Sequence, residues 1–228
     1  MNYALVLVAG GIGERSQQKI PKQFVEINQI PVIIHSLNAF LKFHSDLMAV
    51  IVCHPNYINV CQNLIQKFFS NNYNIFITKG GETRFHSVKN GLEFLHSKNF
   101  SGIVAVHDAA RPCASQSLIQ RCFNMASEKG NAIPSIPLNE SIRIIKNNEN
   151  TMADRSQFVI IQTPQCAEFS ILYKAFQQKY QPIFTDEANV LETYGEKINL
   201  CEGEKNNIKI TYPIDFEMAR LILEQNKL

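Results

Sequence analysis

Long hydrophobic runs are missing from this sequence. None approaches the roughly 20 apolar residues that a bilayer span needs, so no membrane helix is expected. Charge of one sign is missing too. The 22 basic and 20 acidic residues leave a formal charge of +2, which excludes a nucleic-acid tail or an acidic address and makes any electrostatic specialisation local. No cationic region precedes the first apolar run, which starts at once and ends at a glycine turn. This predicts a folded strand, not a signal peptide. The six cysteines form no C-x-x-C pair, and the six histidines do not stand at ligand spacing to them. Zinc is thereby disfavoured, and reduced core thiols in a cytoplasmic protein are expected. Internal repeats, low-complexity linkers and a second-domain boundary are also lacking. One domain spanning 1–228 is expected, and its 45% apolar composition suffices for one sizeable core.

What is present is an alternation of strand and helix patterns. YALVLVA (3–9), LMAVIVC (47–53), NIFIT (74–78) and GIVAVHD (102–108) read as buried strands. Residues 32–44, 56–69, 86–96 and 115–130 carry apolar side chains at helical spacing, the last with Ser115 as N-cap and Gly130 past its end. NAIPSIP (131–137) starts another strand. Such units predict an α/β fold with a mainly parallel sheet and helices on both faces. Residues 138–162 break the rhythm: two β-rich segments joined by an Asn-rich turn predict a protruding hairpin arm, whose open edges call for a partner subunit. A helix over 168–179, TDEANVLETYG (185–195), a short strand near 197–201, NIKIT (207–211) and a closing helix over 213–225 complete the chain.

The stretch AGGIGERSQQKIPKQ (9–23) poses the functional question. It lacks the Gly-Lys-Ser/Thr end of a P-loop. It supplies only half of a dinucleotide fingerprint, and the second strand ends in Cys53-His54-Pro55 with no carboxylate for a ribose. A tight turn without a ligand is the ordinary fate of a glycine cluster. This one follows the first strand of a parallel sheet, where such folds bind ligands. A loop carrying Arg15 and Lys22 then replaces the usual immediate helix. Backbone amides there can cradle phosphate oxygens, with the two cations at different phosphates.

AGGIGER followed by IPKQF resembles the G-x-G-x-R…P-K signature of nucleotidyltransferases that activate sugar and polyol phosphates. GGETRFHSVKNG (80–91), VHDAARP (106–112), IQTPQ (161–165), TDEAN (185–189) and EGEKNNIKIT (202–211) follow in order. Together they resemble the 2-C-methyl-D-erythritol 4-phosphate cytidylyltransferase family over nearly the whole chain. The resemblance implies a Rossmann-like sheet, CTP as substrate, Mg²⁺, the non-mevalonate isoprenoid route and a homodimer formed through the arm. It makes Arg15 and Lys22 the catalytic cations, with Arg155 and Lys209 positioning the incoming phosphate. It assigns the nucleotide to Ala9, Gly10, Gly11, Gly13, Gly80, Gly81, Arg84, Ser87, Asp108 and Ala109. It assigns the polyol phosphate to Arg111, Ser141, Arg155, Thr163, Asp186 and Lys209, with Arg155 and Ser141 reaching across the dimer.

Several of these residues have a second reading. Ser87 can read the base or cap a helix. Asp108 can hold Mg²⁺ or contact the ribose. Arg111 can meet the substrate phosphate or pair with a carboxylate. Asp186 and Glu187 can face the polyol hydroxyls and lysines, or simply solvate a helix start. His107 is expected to be a structural hydrogen-bonder, because neighbours on a strand point to opposite faces and cannot form a dyad with Asp108. Spelling departs from the family at Gly10, at Glu14 and at Asn139-Glu140-Ser141, where Asp-Thr is more usual. The nearest rival activity is ribitol 5-phosphate cytidylyl transfer. Arg84-x-x-Ser87-Val88 and TDEA favour the methylerythritol substrate over it. A non-catalytic nucleotide-binding module is disfavoured by the presence of Arg15, Lys22 and Lys209. A dinucleotide-dependent oxidoreductase is disfavoured by the missing acid.

Overall fold

A computed structural model gives the structure, which describes residues 2–11, 20–69 and 74–225. The chain starts with β1 (Tyr3–Ala9), then a short ribbon of β2 (Glu26–Ile27) and β3 (Ile30–Pro31) leads into α1 (Val32–Phe43). Next come β4 (Met48–Cys53), α2 (Ile58–Phe68), β5 (Ile75–Lys79), α3 (Arg84–Ser97), β6 (Ile103–Asp108) and α4 (Gln116–Lys129). After these follow β7 (Asn131–Pro137), β8 (Arg143–Lys146), β9 (Glu149–Met152), β10 (Val159–Ile161) and β11 (Gln165–Glu168). The chain closes with α5 (Phe169–Ala175), α6 (Glu187–Tyr194), β12 (Leu200–Glu202) and α7 (Ile214–Gln225).

The main sheet runs β5-β4-β1-β6-β11-β7-β10, with β12 added to β7. The β5-β4-β1-β6 half is parallel throughout. The predicted parallel rule stops at β11, which pairs antiparallel with both β6 and β7, and β10 pairs antiparallel with β7. From β7 the chain passes through the arm and β10 into β11 with no crossover α-helix, a connection that suits antiparallel pairing.

The continuous apolar strands serve two cores at once. In β1, Leu5, Leu7 and Ala9 face α1, α2 and α4, while Ala4 and Val6 face α3, α5 and α6. In β4, Ala49, Ile51 and Cys53 alternate with Val50 and Val52 in the same way. A strand buried on both faces has no polar positions to alternate, which is why the sequence reads as unbroken runs. Fully burying one such Val, Leu or Ile is worth about 1.5–3 kcal/mol. This apolar layer offsets the cost of the charged cluster at the strand ends. At Gly91 a Cβ would lie 2.6 Å from Val6 Cγ1, so the missing side chain lets α3 settle on β1 and brings its first turn to the strand ends.

Caps follow the sequence signals in α4. Ser115 Oγ accepts the Leu118 amide at 3.0 Å, and Gly130 closes the helix in the left-handed region at φ 87°. The expected helix over 168–179 is shorter, because Gln177 N–H turns to the Lys174 carbonyl, a tighter bond than an α-helix makes. NIKIT joins no strand ladder; Ile210 N–H donates to the Ala110 carbonyl instead. The arm is a two-stranded ribbon, β8 against β9, joined by Asn147 and Asn148 at φ 50° and 64°. Two consecutive left-handed residues make the tight turn that matches strand twist, and Asn tolerates that conformation. Ile145 and Met152 stand about four-fifths exposed on it. All six cysteines are free and buried. Among the described residues no helix is long and apolar enough to cross a membrane.

Candidate active site

A cleft of about 590 Å³ opens at the carboxyl ends of β1 and β6. Here the chain order reverses: from β1 it runs outward to β4 and β5, then crosses back to β6 on the other side of β1. Ligands of open α/β sheets bind at such a switch point.

Ala9, Gly10 and Gly11 form one lip of the cleft. Gln23 pins this lip: its Nε2 donates to the Ala9 carbonyl at 2.8 Å and to the Gly11 carbonyl at 2.9 Å. Gln23 belongs to the IPKQF motif, but only the buried amide reveals its role. Lys22, beside it, lines the cleft, and its Nζ donates to the Ile210 carbonyl at 2.6 Å. Gly13 and Arg15 lie outside the described residues.

The opposite lip is the turn after β5. Gly80 N–H donates to the Cys53 carbonyl at 2.8 Å. Ser87 is not the cap of α3; Thr83 is, accepting the His86 amide. The backbone ahead of Arg84 is already extended at Thr83, so the helix starts there. Ser87 sits in the next turn, buried, and its Oγ accepts the Gly81 amide at 3.1 Å. Glu82 and Thr83 also line the cleft.

Asp108, at the end of β6, sits at the floor. Its neighbours are cationic: Arg84 Nε at 3.3 Å, Lys209 Nζ at 2.7 Å and Arg111 Nε at 3.9 Å. Burial alone would raise the Asp108 pKa, but Arg84, Lys209 and Arg111 outweigh it and hold the carboxyl well below the ordinary range. Arg84 is itself gripped at both terminal nitrogens by Glu187, at 2.6 and 3.0 Å. Burial opposes its charge, yet Glu187 and then Asp108 hold its pKa above the usual guanidinium value. Arg111 turns inward, donating from Nη1 to the Asn207 carbonyl at 2.8 Å.

Strand parity separates Asp108 from its neighbour, as expected. His107 faces α1 and packs against the Phe40 ring at 5.0 Å. Its Nε2 lies 3.0 Å from the Arg111 carbonyl, which can only accept, so Nε2 carries the proton and Nδ1 accepts. Thr163 is 4% exposed and does not reach the cleft. Its hydroxyl donates to His107 Nδ1 at 3.1 Å and accepts the Asp108 amide at 3.1 Å.

Besides Thr163 and the inward-turned Arg111, neither of which lines the cleft, three further expected substrate residues stand elsewhere. Asp186 caps α6, accepting the Asn189 amide at 3.0 Å and the Gln165 side chain at 3.1 Å. Ser141 and Arg155 are exposed on the arm and at its base, where Arg155 donates to the Asn139 carbonyl. Neither lines the cleft of its own chain.

A glycine lip, a serine-anchored turn and clustered cations thus meet at the switch point of an α/β sheet. A family model described as 2-C-methyl-D-erythritol 4-phosphate cytidylyltransferase matches residues 3–225. The protein of that name from Porphyromonas gingivalis is 39% identical over 223 residues, covering 97% of each chain. The Francisella tularensis structure of that name has a TM-score of 0.76 at 29% identity, over 97% of this chain and 100% of that one. The bifunctional IspDF from Campylobacter jejuni superposes with a TM-score of 0.80 at 27% identity, over 96% of this chain; this chain spans 54% of that longer one. The chain belongs to the 2-C-methyl-D-erythritol 4-phosphate cytidylyltransferase family.

Proposed function

We propose that this chain transfers CMP from CTP to 2-C-methyl-D-erythritol 4-phosphate in isoprenoid precursor synthesis, giving 4-diphosphocytidyl-2-C-methyl-D-erythritol and pyrophosphate. The observation that carries the reading is the cleft that Lys22 lines and in which Arg84 and Lys209 meet one carboxylate, Asp108, in a chain of this family.

A phosphate monoester oxygen attacks the α-phosphorus of CTP, and the bond to the pyrophosphate oxygen breaks. The obstacle is repulsion between anions. Two unit charges about 4 Å apart interact by ~1 kcal/mol in water and ~4 kcal/mol at an effective dielectric of about 20. Fixed cations therefore do most of the work, by positioning and neutralising. No strong general base is required, because the attacking oxygen is already ionised. The lip at Ala9–Gly11, with Ala109 next to it, and the turn at Gly80–Gly81, anchored by Ser87, would hold the nucleotide. Lys22, together with Arg15, would stabilise the charge that develops at phosphorus. Lys209 would receive the polyol phosphate, with Arg111 set behind it against Asp108 and the Asn207 carbonyl.

Mg²⁺ fits this donor set in one mode. Among the described residues no three acidic, His or Cys side chains group to cage a metal, but Mg²⁺ commonly takes one or two carboxylates and fills its shell with phosphate oxygens and water. Asp108 would be its protein ligand, and the ion would neutralise nucleotide phosphates. The ribbon of β8 and β9 is read as a dimer arm in a single-domain enzyme. Its exposed Ile145 and Met152 would be covered by a second copy, and Arg155 and Ser141 would act in that copy's cleft. Free buried thiols suit a cytoplasmic setting.

Pyrophosphate release from CTP, measured with 2-C-methyl-D-erythritol 4-phosphate and with ribitol 5-phosphate, tests the reading. At least 100-fold preference in kcat/KM for the first is expected. Equal rates, preference for the second, or no release with either would overturn it.

A further inference from the structure

Glu187 is the first residue of α6; it is 1% exposed and does not reach the cleft. Its carboxylate takes both ends of the Arg84 fork, Nη1 at 2.6 Å and Nη2 at 3.0 Å. The remaining guanidinium nitrogen, Nε, points to Asp108 Oδ1 at 3.3 Å. The other Asp108 oxygen holds Lys209 Nζ at 2.7 Å. Charges thus alternate from Glu187 through Arg84 and Asp108 to Lys209, on four separate parts of the fold.

The two ends of this chain of charges differ. At the Lys209 end the side chain is 43% exposed and faces the cleft. At the Glu187 end everything is fixed. Gln165 of β11 donates to Asp186 Oδ2 at 3.1 Å and accepts the Ala188 amide at 2.9 Å, seating the first turn of α6. A planar fork bound at both ends keeps one orientation, which an ammonium or a singly bound guanidinium would not.

We propose that Glu187 is a positioning residue for the transfer. By clamping Arg84 it keeps Asp108 turned toward Lys209, and so sets where the Lys209 ammonium meets the incoming phosphate. This rests on the cytidylyl-transfer reading. A buried ion pair that merely ties α6 to α3 would affect stability and leave the kinetics alone.

Glu187→Gln keeps the shape and removes the charge. Expected are a fall in kcat of at least tenfold, a several-fold rise in KM for the polyol phosphate, a KM for CTP within about twofold of wild type, and a folded protein. Arg84→Lys keeps the charge and loses the fork, so it should lower kcat and raise KM for the polyol phosphate in the same way; because Arg84 also lines the cleft, the CTP control is read from Glu187→Gln alone. Because both act through one clamp, losses in the double variant should not multiply. Wild-type turnover in E187Q, or losses that multiply, would overturn the proposal. Should E187Q not fold, Glu187→Asp retains the charge and draws it back by one methylene; intermediate turnover is expected, and unchanged turnover counts against the clamp. Failure of the wild type to transfer CMP would sink the activity reading alone. The clamp is then read from the NMR signal of ¹³C-dimethylated Lys209, assigned by its loss in K209R. That signal should shift in E187Q, and an unmoved signal would reject the clamp.

Discussion

Ser87 Oγ accepts the Gly81 amide at 3.1 Å, tying the second turn of α3 back to the loop that precedes it. The contact leaves no room at that loop. A Cβ on Gly81 would stand 2.4 Å from His86 Cβ and 2.9 Å from the His86 carbonyl carbon, and backbone cannot yield that far cheaply. Gly81→Ala should therefore cost more than about 1 kcal/mol in stability and weaken CTP binding. Gly11 is the contrast, since among the described residues nothing lies within 4 Å of its missing Cβ. Gly11→Ala should melt like wild type yet raise KM for CTP about tenfold, because the methyl enters the space proposed for the nucleotide. Thermal melts alongside CTP titrations separate the two. A Gly11→Ala enzyme with unchanged KM would place the nucleotide elsewhere.

Thr163 acts on the site from behind it. Thr163→Val leaves the buried Asp108 amide without an acceptor and His107 Nδ1 without a donor. Each orphaned group costs about 1–3 kcal/mol. A loss of about 2–6 kcal/mol is expected in urea unfolding, with lowered turnover, while Thr163→Ser keeps both bonds. A valine variant as stable as wild type would contradict this geometry.

Acid should loosen the fold through His107. Burial holds its pKa down at about 4, against the ordinary value of 6.5. Between those values the unfolded chain binds a proton that the folded chain refuses, so stability falls as pH drops through that window. The full loss is about 3 kcal/mol. Asp108 adds to it lower down: its depressed pKa gives stability that is present above about pH 4 and is lost below. Urea midpoints measured from pH 7 to pH 4 should fall, and His107→Gln should flatten the part between 6.5 and 4. An identical slope in the variant would move the origin elsewhere.

Arg155 gives a test of the arm. It is exposed and outside the cleft of its own chain, whereas Lys22 lines that cleft. Mixed and refolded together, inactive Arg155→Ala and Lys22→Ala chains should recover up to about a quarter of wild-type activity, through heterodimers with one intact site. No recovery would argue that each chain carries a complete site.

Much of this was legible in the chain itself. The strands β1, β4 and β6, the caps of α4 and the Asn-rich turn of the arm follow from local rules of burial, capping and left-handed tolerance. The glycine lip and the cations Lys22 and Lys209 were legible as a motif. Other features were not, because they depend on partners far away in sequence. Ser87 looked as much a helix cap as a base reader until the start of α3 was fixed at Thr83. Thr163 and Asp186 carried the motif's substrate expectation, yet one braces Asp108 from behind and the other caps α6. Glu187 gave no sign that it would meet Arg84, 103 residues away.

What the sequence determined by itself was the kind of surface each segment presents: apolar on both faces for the strands, on one stripe for the helices, glycine and cation in the loops. Those are properties of neighbouring residues and of backbone sterics. Only the tertiary structure decided which charges meet. Desolvation makes an isolated buried charge costly and a paired one tolerable, so Asp108, Arg84, Glu187 and Lys209 acquire their roles only once the sheet and helices bring them to the same strand end.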